Sequence, residues 1–225
     1  PLTNKSGRLL RGYQWWLRRG LCLVIGGYVF CGLYLLALRW MNPTFTTVQI
    51  QRRVESVFQE NIYEKHFTFV PLSQIPRDLR RAVIVAEDGR FYQHRGIDWR
   101  ELEKVIEDSL ERMQLGRGGS TISQQLVKNL FLTTHRSIVR KILEFTLVPL
   151  TEFTLDKERI LELYLNVIEW GPGVYGAEAA SQHHYGVSVS DVNREQAARL
   201  AACIPSPLTL RPFALLDFQV SGSTP

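Results

Sequence analysis

Eighteen consecutive residues without a charge, Leu21 to Leu38 (LCLVIGGYVFCGLYLLAL), constrain this chain more than any other feature. As a helix rising ~1.5 Å per residue, the run approaches the ~30 Å thickness of a bilayer's hydrocarbon core. It is longer than the ~7–15 apolar residues of a signal-peptide core. It leaves through Arg39-Trp40 with no A-x-A cleavage pattern. A soluble core helix rarely lacks polar residues on every face, and Trp15, Trp16 and Trp40 flank the run as interfacial aromatics do. The sequence therefore predicts one transmembrane helix over residues 21–39, preceded by a basic tail over 1–20.

The charge distribution sets its direction. Lys5, Arg8, Arg11, Arg18 and Arg19 precede residue 20 with no acid among them, which places the N-terminus in the cytoplasm and everything after about residue 40 outside. The remaining 22 basic residues balance the 22 acidic ones. A neutral body excludes the basic face expected of a nucleic-acid binder. Cys22 and Cys31 lie in the apolar run and Cys203 stands alone, so neither a disulfide framework nor a metal-binding spacing exists.

Residues 40–74 read as a juxtamembrane linker, 75–212 as the main folded domain and 213–225 as a flexible tail. Patterning predicts a helix near Gln51–Asn61, an extended piece at His66–Pro71 and a helix over Pro76–Glu87. A further helix opens at Asp98, with Glu101 as a box-like partner and an apolar face of Trp99, Leu102, Val105, Ile106, Leu110 and Met113. After a flexible break at Gly116–Gly119, Thr121 with Gln124 caps a helix that ends at Leu130 or Leu132. Helices follow near 136–151, 156–168, 176–185 and 193–203, the last capped by Asn193 with Gln196. The class is mainly α, without the strand–helix alternation of a parallel sheet.

Four stretches could carry chemistry. In the first, Ile75, Leu79, Ala82, Val83 and Ala86 form a helical apolar stripe that Glu87 continues. A carboxylate there is partly desolvated, and its raised pKa suits a proton acceptor; taken alone, Glu87-Asp88 reads as a solvated helix end. In the second, glycines precede the Thr121 cap, which would leave backbone N–H groups open to an anion. Thr121, Gln125, Lys128 and Asn129 share a polar face there, opposite Ile122, Leu126 and Leu130. In the third, Arg136, Arg140 and Glu144 follow at four-residue spacing, either as a surface ion pair or as a cationic patch around a second carboxylate. The fourth, Ile160–Asn166 with Gly171-Pro172-Gly173 and Gly176, is apolar on nearly every side and reads as structural.

In this order these stretches, EDxxFxxHxG, GGSTISQQLxKN, RKxxE and ILExYLN with its following glycines, resemble the peptidoglycan glycosyltransferases over about residues 70–210. That module also forms the front of class A penicillin-binding proteins. The short tail, single anchor and Trp-Gly-Pro-Gly turn resemble the monofunctional biosynthetic branch. No Ser-x-x-Lys occurs, so no transpeptidase module is expected. Ser123 stands where Thr is common, and His184-Tyr185 where Tyr-Phe is usual.

The resemblance implies a lysozyme-like helical fold at the bacterial inner membrane, catalytic domain in the periplasm, polymerising lipid II into β-1,4 glycan strands. By motif, Glu87 matches the general base and Glu144 the second essential carboxylate. Asp88, Phe91 and His94 match the shell of the base. Ser120, Thr121, Gln124, Gln125, Lys128, Asn129, Arg140 and Lys141 match the surroundings of the donor pyrophosphate. A divalent cation, Mg2+ or Mn2+, is allowed but not obligatory, with Glu144 as candidate ligand. Glu144 could equally orient Arg140 or hold Lys128. The implied partners are lipid II, the growing lipid-linked chain, the membrane and other cell-wall or division proteins. The rivals are a hydrolase of the same fold and a silent scaffold. A hydrolase must protonate a sugar leaving group, whereas a pyrophosphate leaving group needs cations.

Overall fold

A computed structural model describes residues 3–58, 63–112, 119–135, 137–210 and 212, without the side chains of 3–13 and 109–112. The proposed tail 213–225, the break at 116–118, Arg136, Met113 and the Leu110 side chain lie outside the described residues.

The first helix, α1 (Thr3–Leu38), begins well before the apolar run. The basic segment expected as a separate tail is therefore its first turns; no proline interrupts it, and Leu, Arg, Lys and Gln are good helix formers. Its span Gln14–Leu38 is long and apolar enough to cross a membrane. Leu21, Leu23, Val24, Ile25, Val29 and Phe30 are exposed, whereas Leu35 and Leu38 near its end are buried. Arg159 fixes that end: its guanidinium donates to the carbonyls of Leu38 (2.8 Å) and Met41 (2.6 Å) and to Asn42 Oδ1 (2.9 Å).

The elements that follow are α2 (Thr47–Phe58), β1 (His66–Phe67), α3 (Arg77–Glu87), α4 (Trp99–Arg112), α5 (Ile122–Phe131), α6 (Ile138–Thr154), α7 (Lys157–Val167), β2 (Glu169–Gly171), β3 (Val174–Tyr175), α8 (Ala177–Tyr185) and α9 (Arg194–Cys203). α5 packs between α6 and α7, and α3 packs on α9. Ile122, Leu126 and Leu130 of α5 join Ile160, Leu161, Leu163, Tyr164 and Leu165 of α7 in the core. Burying each such aliphatic side chain favours folding by ~1.5–3 kcal/mol, so the α5–α7 seam is a substantial part of what holds the domain together. The expectation that residues 160–166 are central is borne out: each of them except Glu162 is buried.

A small sheet, order β1-β3-β2, packs against α8. β2 and β3 form a hairpin through Gly171-Pro172-Gly173, and β1 joins β3 in parallel. Only the extended piece at His66 was anticipated. Asn166 ties this layer to the core, accepting the Val70 N–H (2.8 Å) and donating to the Val70 carbonyl (2.9 Å). Gly176 lies at φ +85, and a Cβ on it would meet the Asn166 carbonyl oxygen at 2.5 Å. That position admits only glycine.

Candidate active site

Of the expected stripe, Leu79 and Val83 on α3 and Ile75 just before it are at 0 % exposure and Ala82 is half-buried, whereas Ala86, beside Glu87, is exposed. It delivers Glu87, half-buried, to the helix end. The chain then leaves the helix at Asp88, whose carboxylate turns towards α5. There it accepts the Ile122 N–H (3.0 Å) and faces His94 Nε2 (2.8 Å). His94 Nδ1 in turn accepts the Gly96 N–H (3.1 Å). These partners assign the proton of a neutral His94 to Nε2, donated to Asp88. Phe91 is fully buried beneath this loop, with Lys157 Nζ 4.4 Å from its ring centre. Asp88, Phe91 and His94 thus hold the loop after the base onto α5.

The N-terminus of α5 departs from the sequence expectation. Its N–H groups were expected to be open to an anion; the structure fills those of Thr121, Ile122 and Gln124 from within. Thr121 Oγ1 accepts the Gln124 N–H (3.2 Å) and donates to the Gly96 carbonyl (2.5 Å), while Gln124 Oε1 accepts the Thr121 N–H (2.9 Å). Asp88 takes the Ile122 N–H and supplies the negative charge that the helix dipole favours. Thr121 and Gln124 are therefore buried caps, 3 % and 1 % exposed. Asn129 is also turned inward, donating to the Gln125 carbonyl of its own helix (2.8 Å). Of the polar face foreseen on α5, Gln125 and Lys128 are the two that meet the carboxylates.

Gln125 Nε2 donates to Glu87 Oε2 at 2.6 Å. Burial pushes the Glu87 carboxyl above its ordinary value, against the pull of Gln125 and Lys128; neighbouring Asp88 pushes the same way as burial. Lys128 has no hydrogen-bond or ion-pair partner among the described residues. Burial lowers its pKa, opposed by the attraction of Glu144 and Glu87 and reinforced by Arg140 and Lys141. A deeply placed, unpaired ammonium between two carboxylates and two cations is a poor structural element and a good anion ligand.

Ser137 caps α6, where Arg140, Lys141 and Glu144 lie. Glu144 is 3 % exposed and receives Arg140 Nη1 on Oε2 (2.7 Å) and Lys141 Nζ on Oε1 (2.5 Å). Lys141 Nζ also donates to Ser120 Oγ (3.2 Å), which links α6 to the segment before α5. Arg140 Nε is buried without a partner among the described residues. Beside Glu87 a cavity of about 290 Å3 opens, walled by Glu87, Arg90, Asp98, Glu101, Gly119 and Ser120 among others.

Among the described residues no carboxylate set of this site fits a divalent cation as arranged. Both oxygens of Glu144 are taken by cationic side chains. Asp88, His94 and Asp98 bring ligand atoms within 4.8 Å of one another. Asp88, however, binds His94 and the Ile122 N–H, and Asp98 Oδ1 takes Arg90 (3.2 Å) and the N–H groups of Arg100 and Glu101.

One residue of this constellation was missed. Tyr164 of α7, read as core, is 0 % exposed, but its hydroxyl donates to Gln125 Oε1 (3.1 Å). The only signal in the sequence is a hydroxyl-bearing ring on a helix otherwise buried in aliphatic side chains, where a Tyr O–H needs a partner.

A family model described as transglycosylase matches residues 53–219. A biosynthetic peptidoglycan transglycosylase of Herminiimonas arsenicoxydans is 46% identical over 171 residues, covering 75% of this chain and 74% of that protein. Proteins of the same description from Ectopseudomonas mendocina and Nitrosomonas eutropha are 43% identical over 190 residues and 42% over 211. They cover 84% and 92% of this chain, and 78% and 85% of their own lengths.

Proposed function

The chain belongs to the transglycosylase family, and from that premise we propose that it polymerises lipid II into β-1,4 glycan strands with release of undecaprenyl pyrophosphate. It is a glycosyltransferase of peptidoglycan biosynthesis. The observation that carries the lipid-linked reaction is the division of the site between one carboxylate with a free oxygen and a group of cations. Glu87 keeps Oε1 free among the described residues, while Lys128, Arg140 and Lys141 gather around Glu144.

Glu87 Oε1 takes the proton of the acceptor sugar's 4-hydroxyl as its oxygen attacks the donor's anomeric carbon. The bond to the pyrophosphate breaks on the opposite face, so an α-linked donor gives a β-linkage. Lys128, Arg140 and Lys141 neutralise the charge that develops on the departing pyrophosphate. Glu144 acts by holding Arg140 and Lys141. These cations suit a pyrophosphate leaving group, which needs its charge neutralised, whereas a sugar leaving group needs a proton.

The lipid-linked donor fits a membrane-anchored enzyme. Support comes from the apolar span of α1 and from α6, which packs along α1 and exposes Ile138, Val139 and Ile142. The basic turns at the start of α1 support a cytoplasmic position for that end, with the catalytic domain on the outer side of the inner membrane. The test is the full chain in detergent or proteoliposomes, given lipid II or intact peptidoglycan. Polymer from lipid II supports the reading; shortened fragments from peptidoglycan with no polymer from lipid II overturn it.

A further inference from the structure

We propose that Tyr164 is a positioning residue for Glu87, acting through Gln125 to fix which carboxylate oxygen faces the acceptor hydroxyl. The inference rests on Glu87 being the base. It starts from an ambiguity every glutamine carries: the two ends of its amide have the same shape and opposite chemistry. Gln125 meets a carboxylate at one end and a hydroxyl at the other, with Glu87 Oε2 at 2.6 Å and the Tyr164 hydroxyl at 3.1 Å. With Oε1 accepting from Tyr164, Nε2 donates to Glu87. The opposite orientation points Oε1 at the carboxylate, which is tolerable only when Glu87 is protonated.

Tyr164 biases this choice because its surroundings hold its proton in place. Its ring is fully buried on α7, and burial together with the Glu87 and Asp88 charges raises its pKa well above the ordinary value. The hydroxyl has no other partner among the described residues, so its proton goes to Gln125 Oε1. Glu87 Oε2 is then occupied by Nε2, and Oε1 is the oxygen left for the substrate. The α5–α7 seam that carries both residues is close-packed, so the relay has little room to relax.

The other charged groups facing Glu87 do not change when Tyr164 is replaced. They are Asp88 in the loop, Lys128 on α5, and Arg90, Asp98 and Glu101 across the cavity. The experiment is the pH profile of kcat/KM for lipid II polymerisation by the full chain, in wild type, Tyr164→Phe, Gln125→Leu and the double variant. Its acid limb reports the base in the free enzyme. Loss of Tyr164's donation frees the amide and raises the Glu87 pKa, so the limb of Tyr164→Phe moves to higher pH. The expected size is about half to one pH unit, that of one net hydrogen bond. KM stays within about twofold, because Tyr164 does not touch substrate and a change in uniform binding is what KM would report. Gln125→Leu moves the limb at least as far, and the double variant no farther than Gln125→Leu, because Tyr164 has no other route to Glu87.

A limb that stays at the wild-type pH in Tyr164→Phe overturns the proposal, and so does an additive shift in the double variant. If Tyr164→Phe does not yield folded protein, Gln125→Leu alone decides, and an unmoved limb there overturns the relay. Full activity of Glu87→Gln would instead overturn the assignment of the base, a result separate from either limb.

Discussion

Replacing Glu144 by Gln tests what the second carboxylate does. Its side chain is 3 % exposed, and its partners Arg140 and Lys141 are 17 % and 37 % exposed. The bond to Arg140 is charge-assisted, nearly dry and worth ~1.5–3 kcal/mol. The pair with Lys141 is wetter and contributes at most ~1 kcal/mol. A glutamine can accept from one cation but turns its own N–H groups on the other. If Glu144 holds the cations for the leaving pyrophosphate, the variant loses ~2–4 kcal/mol of transition-state stabilisation, or ~30- to 1,000-fold in kcat/KM. A double-mutant cycle with Arg140→Ala, read in lipid II polymerisation, should return ~1.5–3 kcal/mol of coupling, because the two side chains act as one unit. Addition of a chelator should leave the ratio of wild-type to variant rates unchanged. Independent, additive losses would refute the argument. So would a wild-type rate that chelation lowers to the level of Glu144→Gln, since Glu144 would then be a metal ligand.

Glu87→Gln should lower kcat by ~10²–10⁴, the usual contribution of a general base. Its folded protein should gain on wild type in thermal denaturation as pH rises. The Glu87 pKa is raised by burial, so the wild-type protein loses stability on passing from below the unfolded carboxyl value up through the folded one, and the amide does not; a difference that shrinks with pH counts against the buried carboxylate. Gly176→Ala should cost ~2 kcal/mol or more and lower Tm by ~5 °C or more, since φ +85 and the Asn166 carbonyl at 2.5 Å both oppose a side chain. A Tm within ~1 °C of wild type would contradict that reading. Arg159→Ala should speed hydrogen exchange over residues 38–42 without altering exchange in α5, because its bonds to Leu38, Met41 and Asn42 join α1 to α7. Unchanged exchange at 38–42 would show that other packing holds this junction.

The helices were legible wherever apolar spacing and caps agreed. The α3 stripe ends at Glu87 as read, and the capping boxes Thr121–Gln124 and Asn193–Gln196 both form. These signals lie within a few residues of each other, so the sequence displays them directly. The β1-β3-β2 sheet did not show, because strands of two or three residues have no measurable alternation. The fate of the α5 terminus did not show either. The carboxylate that fills it, Asp88, is 34 residues from Ile122, and no local pattern distinguishes an open helix end from one capped across the fold. Tyr164 lies 39 residues from Gln125 on a helix apolar on nearly every side, where periodicity indicates no face.

The geometry divides labour between two carboxylates that the sequence could only place in one neighbourhood. Glu144 has both oxygens held by cations, whereas Glu87 has one oxygen held by a neutral amide. A group that must receive a proton needs a free lone pair and a raised pKa; Glu87 meets both requirements. α5 is the element on which this division rests. Its first turn is capped by Asp88, next to the base, and by Thr121, which reaches Gly96. Gln125 on the same helix holds the base, and Lys128 stands one turn farther on beside Glu144. The orienting amide and the central cation thus share α5, while the base, at the end of α3, is tied to that helix by Gln125 and by the Asp88 cap, so a shift of α3 against α5 must break both bonds before it separates base from cation.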